Sequence, residues 1–339
     1  MTQARLQKFK GWRHGLSGLV LLAGNLATLP ASAQNTTQAP DAQAAPSVSD
    51  VSDVSDDILW LEKSRAYTRS GALALARTVD GWFGDTPFEA GGGRVSGYLR
   101  LGGLWKQHDG TNAHVRFRLR AHLPNLRDKA YIFIGRDNEE EEVKDQPEAF
   151  TREELLQRES RRQDHSFFAG VGYGVRDNID FRLGVHGGWK LYAQARYRQQ
   201  WSLSPRDTVF FRESVFWSVH EHLGSTTVLD YERQLKPTLL LRWSTVGTIT
   251  QRNRTLEWQS SLGLHKSLPG LRSAGLELLT EGRSNRSDVA EYGVRISWSQ
   301  PLYRDWLIGK VTLGHFWPKD RDQPRQRAWA VGGHVDMHF

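Results

Sequence analysis

Apolar and polar residues alternate along most of the chain after residue 94. The clearest example is the stretch 114–123, HVRFRLRAHL. Successive side chains of a β-strand point to opposite faces, so one face of this segment is apolar and the other is basic. The basic row consists of His114, Arg116, Arg118, Arg120 and His122. Such a strand fits either a soluble antiparallel sheet or a transmembrane barrel with its apolar face in lipid.

The same alternation recurs up to the last residue, for example in IDFRLGV (179–185), KLYAQARYRQQW (190–201) and EYGVRISW (291–298). Each segment keeps an apolar face opposite a polar or charged one. Short and long connections alternate between the segments, as in bacterial barrels with short periplasmic turns and longer external loops. The pattern predicts an all-β fold, an antiparallel transmembrane β-barrel of about 14 strands, or about 12 if one strand has been counted twice.

The N-terminal residues predict export. A basic stretch (1–13) precedes an uncharged apolar run (Leu16–Leu29), and Ala31-Ser32-Ala33 provides the small residues of a cleavage site. Residues 1–33 are therefore predicted to be a secretory signal peptide. Residues 34–56, rich in Ser, Ala, Pro, Gln and Asp, predict a disordered linker, and 57–88 predict a periplasmic helix at the barrel mouth or inside it. The barrel is expected over 89–339.

The C-terminus carries a second signal for an outer-membrane protein. The chain ends on Phe339, and Val335 and Met337 occupy the same face of the last strand. A terminal phenylalanine with apolar residues at every second position resembles the signal read by the barrel assembly machinery. The expected partners are therefore this machinery, periplasmic chaperones, the lipid bilayer and lipopolysaccharide, with small solutes added if the barrel conducts.

Composition agrees with a barrel and excludes other classes. The chain has no cysteine, so it cannot form a disulfide framework or a thiolate metal site, and no cofactor is expected. Mean hydropathy is −0.56 while aromatic residues make up 11% of the chain, as expected when half of each strand faces a wet interior. The pI of about 9.6 does not predict nucleic-acid binding, because the basic residues lie singly on alternating strands.

Several motifs resemble a family of Gram-negative outer-membrane β-barrel proteins that is itself uncharacterised. They include VDGWFGD (79–85), FRLRAHLPNL (117–126), FFRESVFW (210–217), LEWQSSLGL (256–264) and YGVRISW (292–298). The resemblance covers most of residues 79–339. It implies a β-barrel and supplies no established activity, so it assigns no catalytic residues.

Two groups of residues have the composition of a hydrolytic site. They are His165-Ser166 and the cluster Ser218, His220, Glu221, His222 and Ser225. Barrel enzymes that act on envelope lipids need an activated nucleophile near the outer rim. No third member of a triad is recognisable, and two histidines at i, i+2 spacing lack a further metal ligand. The chain is therefore predicted to be no enzyme and to hold no metal.

The parity of the strands predicts a charged lumen. The basic row is joined by Arg182, Arg196 and Arg198, and the acidic lumen residues include Glu257, Glu277 and Glu291. Charge pairs could close a narrow lumen, or the charges could set up a field across an open pore. The first function predicted is thus a passive pore for small polar or anionic solutes, and the alternative is a structural or interaction barrel closed by charge pairs. An envelope-lipid enzyme is the third.

Two expectations concern the partners of the basic row. No neighbouring carboxylate is expected beside Arg116, Arg118 and Arg120, so an open pore should prefer anions; otherwise Glu257, Glu277 or Glu291 should neutralise the row across the lumen. The acidic run Glu139–Glu142 opens the longest loop, 137–165. It is expected to be solvated or to capture divalent cations at the lipopolysaccharide surface. A short helix is expected near 151–154.

Overall fold

The computed structural model describes residues 48–81, 87–107, 110–126, 129–147, 165–286, 289–319 and 324–339. The predicted signal peptide (1–33) and the predicted helix near 151–154 lie outside these residues. None of the described helices is long and apolar enough to cross a membrane.

Fourteen antiparallel strands form a closed barrel, in which every strand pairs with its sequence neighbours and the first strand pairs with the last. This confirms the predicted fold and the larger of the two strand counts. The strands are β1 (Arg94–Lys106), β2 (Gly110–His122), β3 (Ala130–Asn138), β4 (His165–Arg176), β5 (Ile179–His186), β6 (Lys190–Ser204), β7 (Asp207–Ser218), β8 (His222–Lys236), β9 (Leu239–Thr250), β10 (Glu257–Leu268), β11 (Arg272–Arg283), β12 (Glu291–Tyr303), β13 (Leu307–Pro318) and β14 (Ala328–His338).

The outer wall of the barrel is apolar and the inner wall is polar. Large apolar side chains such as Leu101, Phe181 and Ile296 are about half exposed, at 53%, 49% and 53%. Residues of the opposite parity, such as Arg100 and Arg116, are buried. A soluble protein rarely exposes so large an apolar surface, whereas a transmembrane barrel must present one to lipid. The protein is therefore an outer-membrane β-barrel, and its even strand number brings both ends of the barrel to the periplasmic side.

A long helix precedes the barrel. Helix α1 (Val48–Asp80) begins within the predicted linker (34–56) and ends before residue 88, the predicted end of the helix. Its residues Ala72 and Ala76 are buried against Leu119, Ala121 and Leu123, which belong to the outer wall. The helix thus lies on the outside of the barrel along its periplasmic rim, so the alternative of a position inside the barrel was wrong.

Polar contacts fasten α1 to the periplasmic turns. The Asp80 carboxylate accepts a hydrogen bond from Asn125 Nδ2 at 2.8 Å. Toward the other end of the helix, Glu62 Oε1 accepts one from the Tyr303 hydroxyl at 3.1 Å and pairs with Arg304 at 2.9 Å. The helix therefore spans the distance between the β2–β3 turn and the β12–β13 turn and is fixed to both of them.

A further ion pair connects α1 to the segment before β1. Arg77 Nε donates to Glu89 Oε1 at 2.6 Å, and this hydrogen bond lowers the pKa of the exposed Glu89 carboxyl. A depressed carboxyl pKa stabilises the folded state above the unfolded pKa, and this contribution is lost as the pH falls through the folded pKa. The contact should therefore weaken in acid.

The last residue closes the seam between β14 and β1. The Phe339 amide donates to the Gly97 carbonyl and the Gly97 amide donates to the Phe339 carbonyl, both at 3.1 Å. The phenylalanine ring lies over Gly97, where any side chain would collide with it. The position of Val335 and Met337 on β14 is described, while their predicted role in assembly, like that of Phe339, stays a prediction.

Deleting Phe339 should strongly reduce the amount of folded barrel, because both seam hydrogen bonds and the ring contact are lost together. The measurement is the fraction of outer-membrane protein that migrates as a heat-modifiable band. Deleting a few residues between 148 and 164, in the connection from β3 to β4, is the matched control and should change this fraction little. Equal losses from both deletions would contradict a special role of Phe339.

Candidate functional site

The segment after β3 folds into the barrel lumen. It comprises helix α2 (Glu139–Glu142) and residues 143–147, and is called the acidic segment below. Asn138 caps α2, because its side-chain oxygen accepts a hydrogen bond from the Glu140 amide at 3.0 Å. Residues 141–146 are all buried. Neither a solvated run nor a surface cation site fits Glu141 and Glu142, so both expectations for them were wrong.

Arginines of the basic row are the main partners of the acidic segment. Arg116 is 1% exposed and pairs with both Asp137 and Glu141. Arg118 pairs with Asp137 at 3.1 Å and with Glu142 at 3.2 Å. A buried charge is costly to leave unpaired, so Glu141 and Glu142 hold the segment against the β2 wall. The expectation that no carboxylate neighbours the row was wrong.

The far end of the acidic segment reaches the opposite strands. Asp145 pairs with Arg196 and accepts a hydrogen bond from the Ser214 hydroxyl. Arg212 donates to the Asp145 carbonyl at 2.9 Å. Gln146 Nε2 donates to Thr248 Oγ1 on β9 at 3.2 Å. The segment therefore crosses the lumen from β3 to β9.

A tyrosine supports the arginines beneath the segment. The Tyr131 hydroxyl donates to Asp180 at 3.1 Å and accepts from Arg182 Nε at 2.9 Å. Its ring occupies the space that a side chain at Gly172 would need, which explains a glycine at this inward position. Arg182 also lies 3.6 Å from Glu142, so the tyrosine connects the wall to the acidic segment.

The rest of the predicted basic row differs in its partners. Arg120 stacks on the Tyr131 ring at 3.5 Å, and among the described residues it forms no ion pair within 4 Å. Arg198 pairs with Asp180 at 3.1 Å, with its side chain still 49% exposed. The His122 ring lies 5.9 Å from the Tyr131 ring. The Nδ1 atom of His114 is buried in the wall.

The predicted acidic residues of the second half lie within their own wall. Glu277 accepts from Arg295 Nε at 2.6 Å, and Glu257 pairs with Arg283 at 3.2 Å. Glu291 is buried, in register with Glu281 on β11. Glu257 and Glu277 thus pair with arginines of their own wall, while Arg116 and Arg118 pair with Asp137 and with the acidic segment.

Apolar side chains also enter the lumen. They lie at inward positions of the strands and form one buried cluster, called the lumen cluster below, comprising Leu104, Val228, Val246, Leu279, Phe316 and Ala330. Strands β1, β8, β9, β11, β13 and β14 all contribute, so the interior is narrow at this height.

A cavity of about 530 Å³ opens in the periplasmic half of the lumen beside the acidic segment. Inward residues of β6 to β9 and the end of the segment line it. The lining includes Pro147, Arg198, Phe210, Arg212, Asp230 and Arg242. It is the size of a small-molecule site and its wall is strongly charged.

The predicted hydrolytic cluster has other partners. The buried Ser218 hydroxyl accepts from the Glu221 amide at 3.0 Å, and Glu221 pairs with Lys144 at 3.5 Å. His220 contacts Arg252, and Ser225 donates to Glu213. His222, the first residue of β8, has a positive φ of 58°, and Ser166 on β4 is in register with Asp137 on β3. Among the described residues no group of three or more His, Asp or Glu side chains could hold a metal.

Sequence reasoning missed Asp137, Asp145 and Asp180, which carry the interior pairing. Asp137 continues the inward parity of Tyr131 and Phe133 on β3, so strand periodicity could have found it. Asp180 shares the inward face of β5 with Arg182. Asp145 follows the strand in a loop, and no periodic signal marks it.

The fold and the charged interior define a class, the outer-membrane β-barrel with a lumen crossed by one of its own loops. No protein-family model matches the chain, and a search of curated proteins finds no match either. The resemblance to one particular barrel family therefore stays a prediction.

Solved structures of similar fold are outer-membrane barrels at low identity. The outer-membrane channel DcaP of Acinetobacter baumannii is 10% identical with a TM-score of 0.45, over 73% of this chain and 97% of that one. The anion-selective porin of Comamonas acidovorans is 8% identical with a TM-score of 0.43, over 73% and 99%. KdgM porin in complex with disordered oligogalacturonate is 6% identical with a TM-score of 0.37, over 71% and 99%.

Proposed function

We propose that this barrel is a passive outer-membrane pore for small polar solutes, constricted by the acidic segment. The observation that carries the proposal is the charged cavity of about 530 Å³ beside that segment. Its arginine Arg198 keeps half of its side chain exposed although it lies inside the barrel. A polar interior wall with accessible charge supports passage of hydrated solutes better than it supports a purely structural barrel.

The pairing of the basic row limits the selectivity of the proposed pore. Arg116 and Arg118 are neutralised by carboxylates, so they contribute little long-range potential. Arg120 and Arg198 lie closer to the periplasmic end. Arg120 has no ion pair within 4 Å among the described residues, and the Arg198 side chain stays 49% exposed beside Asp180, so these two leave more positive potential in the lumen. The pore should therefore prefer anions weakly, and less than an unpaired row would.

Single-channel recording in a planar bilayer tests the proposal. The purified barrel should give steady conductance steps, small for a 14-stranded barrel because the acidic segment and the lumen cluster narrow the path. Reversal potentials in a salt gradient should show a weak anion preference that falls as salt rises, with screening over about 10 Å at 0.1 M. Silence from correctly folded protein would refute the pore.

The lumen cluster favours a second candidate function. Six buried apolar side chains at inward positions resemble a packed core more than a water-filled channel. A structural or interaction barrel with a closed lumen would have this interior. It predicts silence in the same recording, with the heat-modifiable band intact.

A further inference from the structure

Two arginines lie side by side on adjacent strands in the periplasmic half of the lumen. Arg198 on β6 and Arg212 on β7 are register partners, and both line the cavity. Like charges facing each other across strands are destabilising unless something compensates them. Their carboxylate partners lie to either side, with Asp180 3.1 Å from Arg198 and Asp145 3.2 Å from Arg212 Nε. The side chains are 49% and 26% exposed, so both guanidinium groups remain accessible from the cavity.

The next wall of the cavity is acidic. Asp230 and Glu232 on β8 line it, and Arg242 holds them at 2.8 Å and 3.5 Å. Two carboxylates share one guanidinium here, so they have unused acceptor capacity toward the cavity. Phe210 is the register partner of Asp230 and adds an apolar ring to the lining of the cavity.

The arrangement of basic and acidic side chains around the cavity favours one chemical class of ligand. Two adjacent guanidinium groups match the two oxygens of a carboxylate. The acidic wall repels a second negative charge and accepts hydrogen bonds from hydroxyl groups. A volume of about 530 Å³ holds a molecule of several carbon atoms.

We propose that the cavity is a binding site for a small hydroxylated carboxylate, such as a sugar acid. Arg198 and Arg212 bind its carboxylate, and Asp230 and Glu232 accept hydrogen bonds from its hydroxyl groups. This deepens the proposed function and rests on it in one respect, since the pore is the route by which such a solute reaches the site from outside.

Titration calorimetry on the folded barrel in detergent tests the site without requiring conduction. Gluconate is the probe, and sorbitol and acetate are its matched analogues, one lacking the carboxylate and the other the hydroxyl chain. Gluconate should bind at least about tenfold more tightly than either, which corresponds to about 1.4 kcal/mol. Equal dissociation constants for gluconate and sorbitol would overturn the proposal.

Substitutions test the role of the basic wall and of the acidic wall in ligand binding. Arg198→Gln should weaken gluconate binding about tenfold or more, and Arg198→Lys should give an intermediate loss, because lysine keeps the charge and loses the paired donors. Glu232→Gln should narrow the difference between gluconate and acetate. Arg206→Gln removes the same charge from the exposed β6–β7 turn and should leave binding unchanged. A loss from Arg206→Gln equal to that from Arg198→Gln would show a general charge effect and overturn the site.

The same probe separates this proposal from that of the pore. If the barrel conducts, gluconate added from the periplasmic side should reduce the chloride current in wild type and not in Arg198→Gln. Conduction with no calorimetric preference for gluconate refutes the site and leaves the pore. Binding without conduction refutes the pore and leaves the site. The heat-modifiable band checks the folding of each variant.

Discussion

Replacing Arg116 by glutamine is expected to lower the free energy of unfolding by about 3–5 kcal/mol, the cost of breaking a buried ion pair from one side. Arg116 is 1% exposed and is the common partner of Asp137 and Glu141. Without it the buried Asp137 and Glu141 carboxylates lose their shared partner, and Arg118 is left beside both of them. Urea unfolding of the barrel in lipid vesicles, followed by tryptophan fluorescence, measures the loss.

Arg120→Gln is the matched control for this prediction. It removes the same charge from the same row, but Arg120 has only the Tyr131 ring beneath it and no carboxylate within 4 Å among the described residues. Its loss should be about 1 kcal/mol, the range of a cation–π contact. Adding Asp137→Asn and Glu141→Gln to Arg116→Gln should recover part of the stability. Similar losses from both single variants would show that the ion pairs do not hold the interior together.

Replacing residues 139–164 by a two-residue Asn-Gly turn is expected to raise conductance several-fold and to create a clear anion preference. Asn138 and His165 are register partners on β3 and β4, so a two-residue turn can close this hairpin. The change removes the segment that crosses the lumen. It also removes the loop carboxylates that pair with Arg116, Arg118 and Arg196. Conductance and reversal potential in planar bilayers measure the two effects.

A charge-only variant separates obstruction from electrostatics. Glu141→Gln with Glu142→Gln and Asp145→Asn keeps the segment and removes its charge, so selectivity should shift toward anions with a smaller rise in conductance. Unchanged conductance in the turn variant would mean that the lumen cluster, not the acidic segment, closes the path. That result would favour the structural barrel.

The strands were predictable because their information is local. Alternation of apolar and polar residues over a few positions predicts which side chains face the lipid and which face the lumen. This rule correctly placed Arg116 inside the barrel and Val115 outside it. The partners of the interior charges were not predictable in this way. Glu142 pairs with Arg118 and Arg182, and Asp145 pairs with Arg196 and Arg212. All these contacts come from a loop whose polar composition alone predicts a solvent-exposed segment. In a run of four acidic residues polar and apolar positions do not alternate, so the sequence does not predict whether the run faces the lumen or the solvent.

The packing of α1 on the outer wall was not predicted, for a related reason. Its apolar residues predict that one face is covered, and a covered face fits the barrel mouth, the interior or the outer wall equally well. Small residues made the outer wall suitable, since Ala72 and Ala76 allow the helix to approach Ala121 closely. Only the fold brings these alanines together.

The helix on the outer wall has a consequence for the timing of biogenesis. Phe339 packs into the cluster formed by α1 with the outer wall, and Arg65 of the helix donates to the carbonyl of His338 at 3.1 Å. The predicted assembly factor that binds the chain terminus could not hold this ring while the ring lies under the helix. On that prediction the N-terminal helix, although synthesised first, would dock last, after the terminal strand has been released. Its docking would act as a latch that makes release from the assembly factor hard to reverse.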